Sequence, residues 1–332
     1  MADSTANVQD TIARPGEEGI RARLRRYREL RLTEEELATV LLTPVLLFLL
    51  GLSFYPILDT IWASLHTGYV IELPGQQREF VGLENYRKIL FPIGGTGFWN
   101  AFGVSMFYTF VSVPVELVFG LGLALLLHKK EFKYKYVAQA AILFPWALPT
   151  VINAKVWAWM LHPDFGVISD ILVRLGILAQ PFPFLSKPDI ALYTMTAITI
   201  WKTTSFMTLI LLAGLSSIPD QLYEAARIDG ASRWRRFRDI TLPLLKPTLL
   251  VALIFRTLPA FQAFGLPFGL TGGGPGESTE TLVLFAQQAA YNNPGPTNGG
   301  FAIGSAAATM ITLIALIIAL IYVTTLYEPE VR

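Results

Sequence analysis

Apolar residues gather in six long runs, residues 37–58, 98–127, 137–161, 190–218, 247–271 and 301–326, separated by polar connections. A helix needs about 20 apolar residues to cross a hydrocarbon core of about 30 Å, and the shortest of these runs has 22. Each run therefore predicts a transmembrane helix. Together they cover 157 residues and hold four charged side chains, Glu116, Lys155, Lys202 and Arg256. Backbone polar groups in lipid must be satisfied within their own segment, which leaves the helix as the spanning form. Prolines inside the runs, at 44, 56, 114, 145, 149 and 259, then mark kinks packed against neighbouring helices. The fold class that follows is all-α, a polytopic membrane protein with six transmembrane helices.

Lys and Arg are unevenly shared between the two sides of such a bundle. The N-terminal tail carries seven, all Arg; the connection after the second run carries four, that after the fourth carries six, and the C-terminus carries Arg332. The opposite side carries three in the first connection, two in the third and none in the fifth. Eighteen against five predicts that both termini are cytoplasmic. Residues 1–36 read as a basic cytoplasmic tail, partly disordered because its first 20 residues have few large apolar side chains. Its Arg cluster from 21 to 31 suits a topology determinant or a contact with lipid headgroups of the bilayer. The first run is long for a signal-peptide core and lacks a clear cleavage site, so it is expected to stay as an anchor. Residues 37–326 form the six-helix domain, and 327–332 a cytoplasmic C-terminus.

Composition agrees with this division. Only 15% of the 332 residues are charged, against about 25% in an average soluble domain. Outside the six runs the remaining 175 residues hold 47 charges, or 27%, so the deficit is a lipid effect. A net charge of +1 gives no polycation, and no nucleic acid partner is expected. Zero cysteines exclude a thiolate metal site or a cysteine nucleophile, and His66, His128 and His162 have no paired ligand spacing, so no metal site is expected. The chain contains no G-x-x-x-x-G-K-[ST] phosphate cradle, no G-x-S-x-G elbow and no H-E-x-x-H. It is not expected to be an enzyme, and any energy source must be a partner or an ion gradient.

The most informative stretch is the inward connection at 217–246. Ser217 is placed to cap a short helix, with Pro219 in its first turn and Asp220 at the positive end of its dipole. Gly230 then supplies a left-handed stop after Asp229. A second, amphipathic helix is expected to follow, with Trp234, Phe237 and Ile240 on one face and Arg235 and Arg238 on another, until Pro243 breaks it. A small helix with an Ala-Ala face beside an acid and a glycine turn suits insertion into another protein's cleft.

This stretch resembles the cytoplasmic signature of membrane permeases of binding-protein-dependent ABC importers. Glu224-Ala225-Ala226, Asp229-Gly230-Ala231 and Ile240-Thr241-Leu242-Pro243 match its pattern without a gap. Phe80-Val81-Gly82-Leu83-Glu84-Asn85-Tyr86 is similar to the F-x-G-L-x-N-Y of the carbohydrate class, the maltose, lactose and glycerol-3-phosphate type. Phe144 to Pro149 with Trp157, Trp159 and Pro163 to Gly166, Thr271 to Pro275, and Phe301 to Ala306 resemble further parts of it. The extra N-terminal helices and large outer domain of the maltose-type larger permease are absent, so the resemblance is to the compact six-helix, type I importer form.

The resemblance implies a heteromeric importer. Its parts would be this permease, a second homologous permease subunit, two cytoplasmic ATPase subunits that bind ATP and Mg, and an extracytoplasmic solute-binding protein. Glu224, Ala225, Ala226, Asp229, Gly230 and Ala231 would form the helix that seats in an ATPase groove. The chain itself would hold no cofactor.

A charge near mid-membrane costs about 2.5–3.5 kcal/mol, so the buried exceptions point to a polar path or to pairing. Lys202 lies 12 residues into its run, about 18 Å along a helix, and Arg256 is also deep. The resemblance builds the solute site mainly from the fourth and fifth runs. The candidates are then Lys202, Thr203, Ser205, Phe206, Arg256, Phe261 and Gln262, with Asn153 on the third run. Either cation is equally suited to an ion pair with Glu116. Lys155 is expected to snorkel, and Trp146, Trp157 and Trp159 suit an interfacial belt or a sugar platform. The expected solute is a di- or oligosaccharide. Two unpaired deep cations would instead suit a glycerol phosphate, a polyol is a further candidate, and an ion-coupled transporter would have no use for the 217–246 loop. The 272–300 connection, rich in Gly, Pro and Asn, is expected to be a mobile loop that meets the binding protein.

Overall fold

The computed structural model describes residues 34–68, 78–92, 97–129, 133–291 and 300–326. The expectations for the Arg-rich tail before residue 34 and for 327–332 lie outside the described residues. By internal contacts the chain divides into residues 1–59 and 60–332. In the first unit, α1 (Glu34–Leu49) runs through a π turn (Leu50–Phe54) into α2 (Tyr55–Ser64). Its large apolar side chains from Val40 to Leu58 are exposed, as lipid-facing residues are.

The second unit begins in α2 and continues with α3 (Glu84–Leu90), α4 (Gly97–His128), α5 (Lys135–Ala147), α6 (Thr150–Met160), α7 (Val167–Arg174) and α8 (Pro188–Ser216). Beyond these come α9 (Asp220–Ile228), α10 (Arg233–Arg236), a second π turn (Phe237–Thr241), α11 (Leu242–Phe261), α12 (Gly265–Leu270), α13 (Leu282–Tyr291) and α14 (Gly300–Leu326). Among the described residues, five helical stretches are long and apolar enough to cross a membrane, and α5 with α6 make a sixth if the bent pair is one span.

The two longest helices, α4 and α8, lie against each other. Gly120 is what lets them approach, since a Cβ there would come within 2.7 Å of Met207 Cγ. Three apolar clusters follow one another along α4. Phe98 and Ala101 pack with Phe261, Leu282 and Ala306; Tyr108 and Val113 pack with Met195, Ile198 and Leu266; Ala124 and Leu127 pack with Met207, Leu211 and Leu245.

Four elements differ from the sequence expectation, each for a local reason. The third run is two helices bent by 92° between Ala147 and Thr150. Pro149 has no N–H to offer the carbonyl of Pro145 and disfavours the helical conformation at Leu148, which is extended at φ −69° and ψ 130°, so the helix stops before it. The fifth run ends at Phe261, and Gly265–Leu270 is a separate short helix. Within one continuous helix Pro267 would clash with the carbonyl four residues back, whereas in the first turn of a new helix it is tolerated.

Pro243 does not break the second loop helix. Arg233–Phe261 runs as one stretch through the second π turn, where the N–H of Leu242 reaches the carbonyl of Phe237. The residue four before Pro243 lies in that wider turn, which makes room for the ring, and Pro56 stands in the same relation to the first π turn. Ser217 does not cap α9 either. Its hydroxyl donates to the carbonyl of Gly214 at 2.8 Å at the end of α8, and Pro219 is the residue before α9.

The connections are more ordered than composition suggests. In the first, Asn85 donates to the carbonyls of Ser64 and His66 at 2.8 and 3.0 Å, and Tyr86 pairs with the Ser64 hydroxyl at 2.6 Å. The Asn-Tyr of that motif thus ties the connection to the end of α2. The fifth connection contains α13, whose Leu282 and Leu284 are fully buried. Its Leu282 N–H donates to Ser105 Oγ at 2.9 Å. Averaging composition over 272–300 hid this ten-residue helix, and residues 292–299 lie outside the described residues.

Candidate functional site: a polar cavity at a broken helix

Buried polar residues on α4 recur at four-residue spacing, Tyr108, Ser112 and Glu116, and so share one face. Against it α8 presents Thr199, Lys202 and Thr203, and α11 presents Arg256. The Arg256 guanidinium grips the Glu116 carboxylate at two points, Nη2 to Oε1 at 2.9 Å and Nε to Oε2. Thr203 donates to Glu116 Oε1 at 2.7 Å, and the Tyr108 and Thr199 hydroxyls pair. Of the two candidate partners for Glu116, the structure selects Arg256.

Lys202 turns instead to the break between α5 and α6. Its ammonium donates to the carbonyls of Leu148 at 2.7 Å, Trp146 at 3.1 Å and Pro145 at 3.4 Å. These are carbonyls that the proline and the bend deprive of helical partners. One turn further along α8, Phe206 stacks on Trp146 with ring centroids 5.7 Å apart.

Beside these groups lies a cavity of about 420 Å³, lined by Tyr108, Thr150, Thr199, Lys202, Thr203, Arg256, Pro259, Gln262, Ala263, Phe264, Gly265 and Leu266. Four sequence candidates, Lys202, Thr203, Arg256 and Gln262, therefore share its wall. The others are elsewhere. Phe261 is fully buried in the apolar cluster with Phe98 and Leu282, Ser205 is buried in α8, and Phe206 is occupied by Trp146. Asn153 is buried in α6, with no hydrogen-bond partner for its Nδ2 among the described residues. Tyr108, Thr150, Thr199 and Phe264 were not singled out from sequence. The regular spacing of Tyr108 and Thr199 with Glu116 and Thr203 was a signal for two of them.

The 217–246 loop is built around a short stiff helix. After α9 the Ala231 N–H bonds the carbonyl of Ala226 at 2.8 Å and the Gly230 N–H that of Arg227 at 3.1 Å. With Gly230 at φ +76° this is a Schellman ending. Ser232, overlooked in the sequence, caps the next helix by accepting from the Arg235 N–H at 3.3 Å. Glu224, Ala225, Asp229 and Gly230 are exposed, Ala226 and Ala231 half-buried, and Ile228 is 88% exposed at the tip. Trp234 is exposed too, so the expected apolar face of the second helix is buried only toward Ile240. Tyr223 pairs with the Thr241 hydroxyl at 3.0 Å, joining α9 to the π turn beneath α11. A cleft of about 330 Å³ between α9 and the end of α4 is lined in part by His128, Lys129, Asp220, Glu224 and Arg227.

An all-α polytopic membrane protein with a hydroxyl-lined cavity at a broken span is built as a transport component. The chain belongs to the family of binding-protein-dependent transport system inner membrane components, whose model matches residues 116–332. It is 40% identical to the trehalose/maltose transport system permease protein MalF of Thermococcus litoralis, over 89% of this chain and 95% of that one. It is 41% identical to the sulfoquinovosyl glycerol transport system permease protein SmoG of Agrobacterium fabrum, over 79% of this chain and 82% of that one. The fold is similar to that of a chain in the crystal structure of a bacterial alginate ABC transporter in complex with alginate pentasaccharide-bound periplasmic protein. The TM-score is 0.72 at 22% identity, covering 86% of this chain and 92% of that one.

Proposed function

We propose that the chain is the transmembrane permease subunit of an ATP-driven importer, which accepts a neutral di- or oligosaccharide and passes it to the cytoplasm by alternating access. The observation that carries this reading is the chemistry of the cavity wall. Tyr108, Thr199, Thr203 and Gln262 offer hydroxyls and an amide, while the Arg256 charge is neutralised by Glu116. Such a wall pairs with sugar hydroxyls, and its remaining charge, Lys202, is held by three backbone carbonyls rather than left bare for a phosphate. Pockets of about 300–1,000 Å³ are the usual size for small-molecule sites. The names of the similar permeases, trehalose/maltose and sulfoquinovosyl glycerol, support a carbohydrate, and the trehalose/maltose relative a neutral disaccharide.

The excess of Lys and Arg on one side supports cytoplasmic termini and a cytoplasmic α9. The exposed Glu224 and Ala225, the Gly230 stop and the bare Ile228 support α9 as the helix that seats in an ATPase subunit. The complex would comprise this chain, a second permease, two ATPases holding ATP and Mg, and an extracytoplasmic binding protein.

The test is to purify the complex with its co-encoded binding protein and measure ATP hydrolysis with neutral sugars and with glycerol 3-phosphate. Stimulation by a neutral di- or oligosaccharide is expected. Stimulation by glycerol 3-phosphate alone, or uptake driven by an ion gradient without ATP, contradicts the reading.

A further inference from the structure

The break between α5 and α6 and the cavity share Lys202. An ammonium has three N–H donors and no acceptor, and here all three carbonyls within reach, those of Pro145, Trp146 and Leu148, come from the open end of α5 and the bend. The same side chain lines the cavity next to Thr150, the first residue of α6. Both halves of the broken span touch α8, but through different contacts, and the α6 half does so by Trp157 against Trp201, with ring centroids 5.3 Å apart. Lys202 and Phe206 hold the α5 end to α8. The other half, α6, packs on α12, where Gly269 lies so close that a Cβ would come within 2.7 Å of Ala154 Cβ and 3.1 Å of the Val151 carbonyl.

We propose that Lys202 is a latch on this break, and that a hydroxyl of the solute opens it by inserting between the ammonium and the carbonyl of Leu148. A hydroxyl is suited to this because it accepts from the ammonium and donates to the carbonyl, leaving neither unpaired. A phosphate oxygen would take the ammonium and leave that carbonyl without a donor. Insertion replaces one direct contact by two and lengthens the bridge by about 2.7 Å, one O–H···O distance. The α5 end is then free to move against α8 and α6, which stay joined through Trp157 and Trp201. This rests on the reading of the cavity as the solute site and makes Lys202 a positioning residue that favours polyhydroxylated solutes.

The chain has no cysteine, so spin labels can be placed directly at Tyr136→Cys on α5 and Trp159→Cys on α6, which are 82% and 60% exposed. The full complex is compared with Lys202 intact, with Lys202→Met and with Lys202→Arg, without solute and with the binding protein plus maltose or trehalose. Without solute, Lys202→Met is expected to broaden or shift the label distance relative to the parent, and Lys202→Arg to restore it. A sugar that stimulates hydrolysis is expected to shift the parent by about 3 Å, the length of one inserted hydroxyl bridge, and to leave Lys202→Met unmoved. Identical solute-free distances in Lys202→Met and the parent overturn the latch, as does a parent unmoved by a stimulating sugar. If neither sugar stimulates hydrolysis, the solute reading fails instead, and the solute-free comparison still decides the latch. Should Lys202→Met fail to assemble, Lys202→Gln is judged by the same distances.

Discussion

Arg256 and Glu116 meet across α11 and α4 as a two-point ion pair, with relative side-chain exposures of 6% and 0%. The pair is 140 residues apart in sequence and also receives the Thr203 hydroxyl. It fixes the part of the bundle around the cavity and cancels one of the two cationic charges in its wall, that of Arg256.

Removing one member of a buried pair strands the other charge, at a cost of about 3–5 kcal/mol, whereas replacing both by apolar residues is often neutral. Arg256→Met and Glu116→Leu should each lower the thermal midpoint and the yield of the solubilised protein. The double variant should recover most of the loss. Thermal unfolding in detergent measures this, and losses that simply add would contradict the coupling.

Gly230 at φ +76° ends α9 in a conformation that L side chains rarely adopt, and a Cβ there is in open space, so substitution strains the turn alone. Gly230→Pro, and Glu224→Lys on the exposed face, should leave membrane insertion intact and abolish solute uptake. Uptake in membrane vesicles is the readout. Full uptake with either variant at normal protein level would remove α9 from the coupling role.

Glu280, in the connection before α13, is 5% exposed, and burial, with the nearby Glu277 charge, pushes its carboxyl up to about 7 from 4.5. The folded protein therefore holds this proton more tightly than the unfolded chain. Its contribution is fully present below pH 4.5 and lost as pH rises through about 7. Glu280→Gln should raise the unfolding midpoint at pH 8 and leave it nearly unchanged at pH 4, in midpoints taken across that range. A difference of equal size at both ends would show that titration is not the cause.

Gly304 on α14 faces α13 with no room for a side chain. A Cβ would come within 2.5 Å of Ala290 Cβ and 2.7 Å of the Ala286 carbonyl, and a backbone carbonyl cannot swing aside. Gly304→Val should destabilise by about 1–3 kcal/mol, as overpacking does. Gly122, with nothing within 4 Å of its Cβ position, is the control, and Gly122→Ala in the interior of α4 should unfold at or slightly above the parent's midpoint.

The spans and the α9 loop were legible because their signals are local. Twenty-odd apolar residues must become a helix in lipid whatever surrounds them, and the Gly230 turn lies within a few residues of its helix. Prolines were ambiguous from sequence. Pro149 separates two helices, while Pro243 and Pro56 are absorbed by π turns, because the outcome depends on what can receive the freed carbonyls. Only the folded bundle brings Lys202 to the bend at Pro149.

The sequence by itself determined that this is a multi-pass helical membrane protein, which runs hold its few buried charges, and that its 217–246 loop carries a short stopped helix. Tertiary structure alone decided that Arg256 rather than Lys202 pairs with Glu116, that Phe261 is core, and that Tyr108 and Thr199 face the cavity. Hydrophobicity and helix endings act over a few residues along the chain, whereas charge pairing and cavity lining depend on how α4, α8 and α11 are rotated against one another. Neighbouring side chains from distant segments fix that rotation.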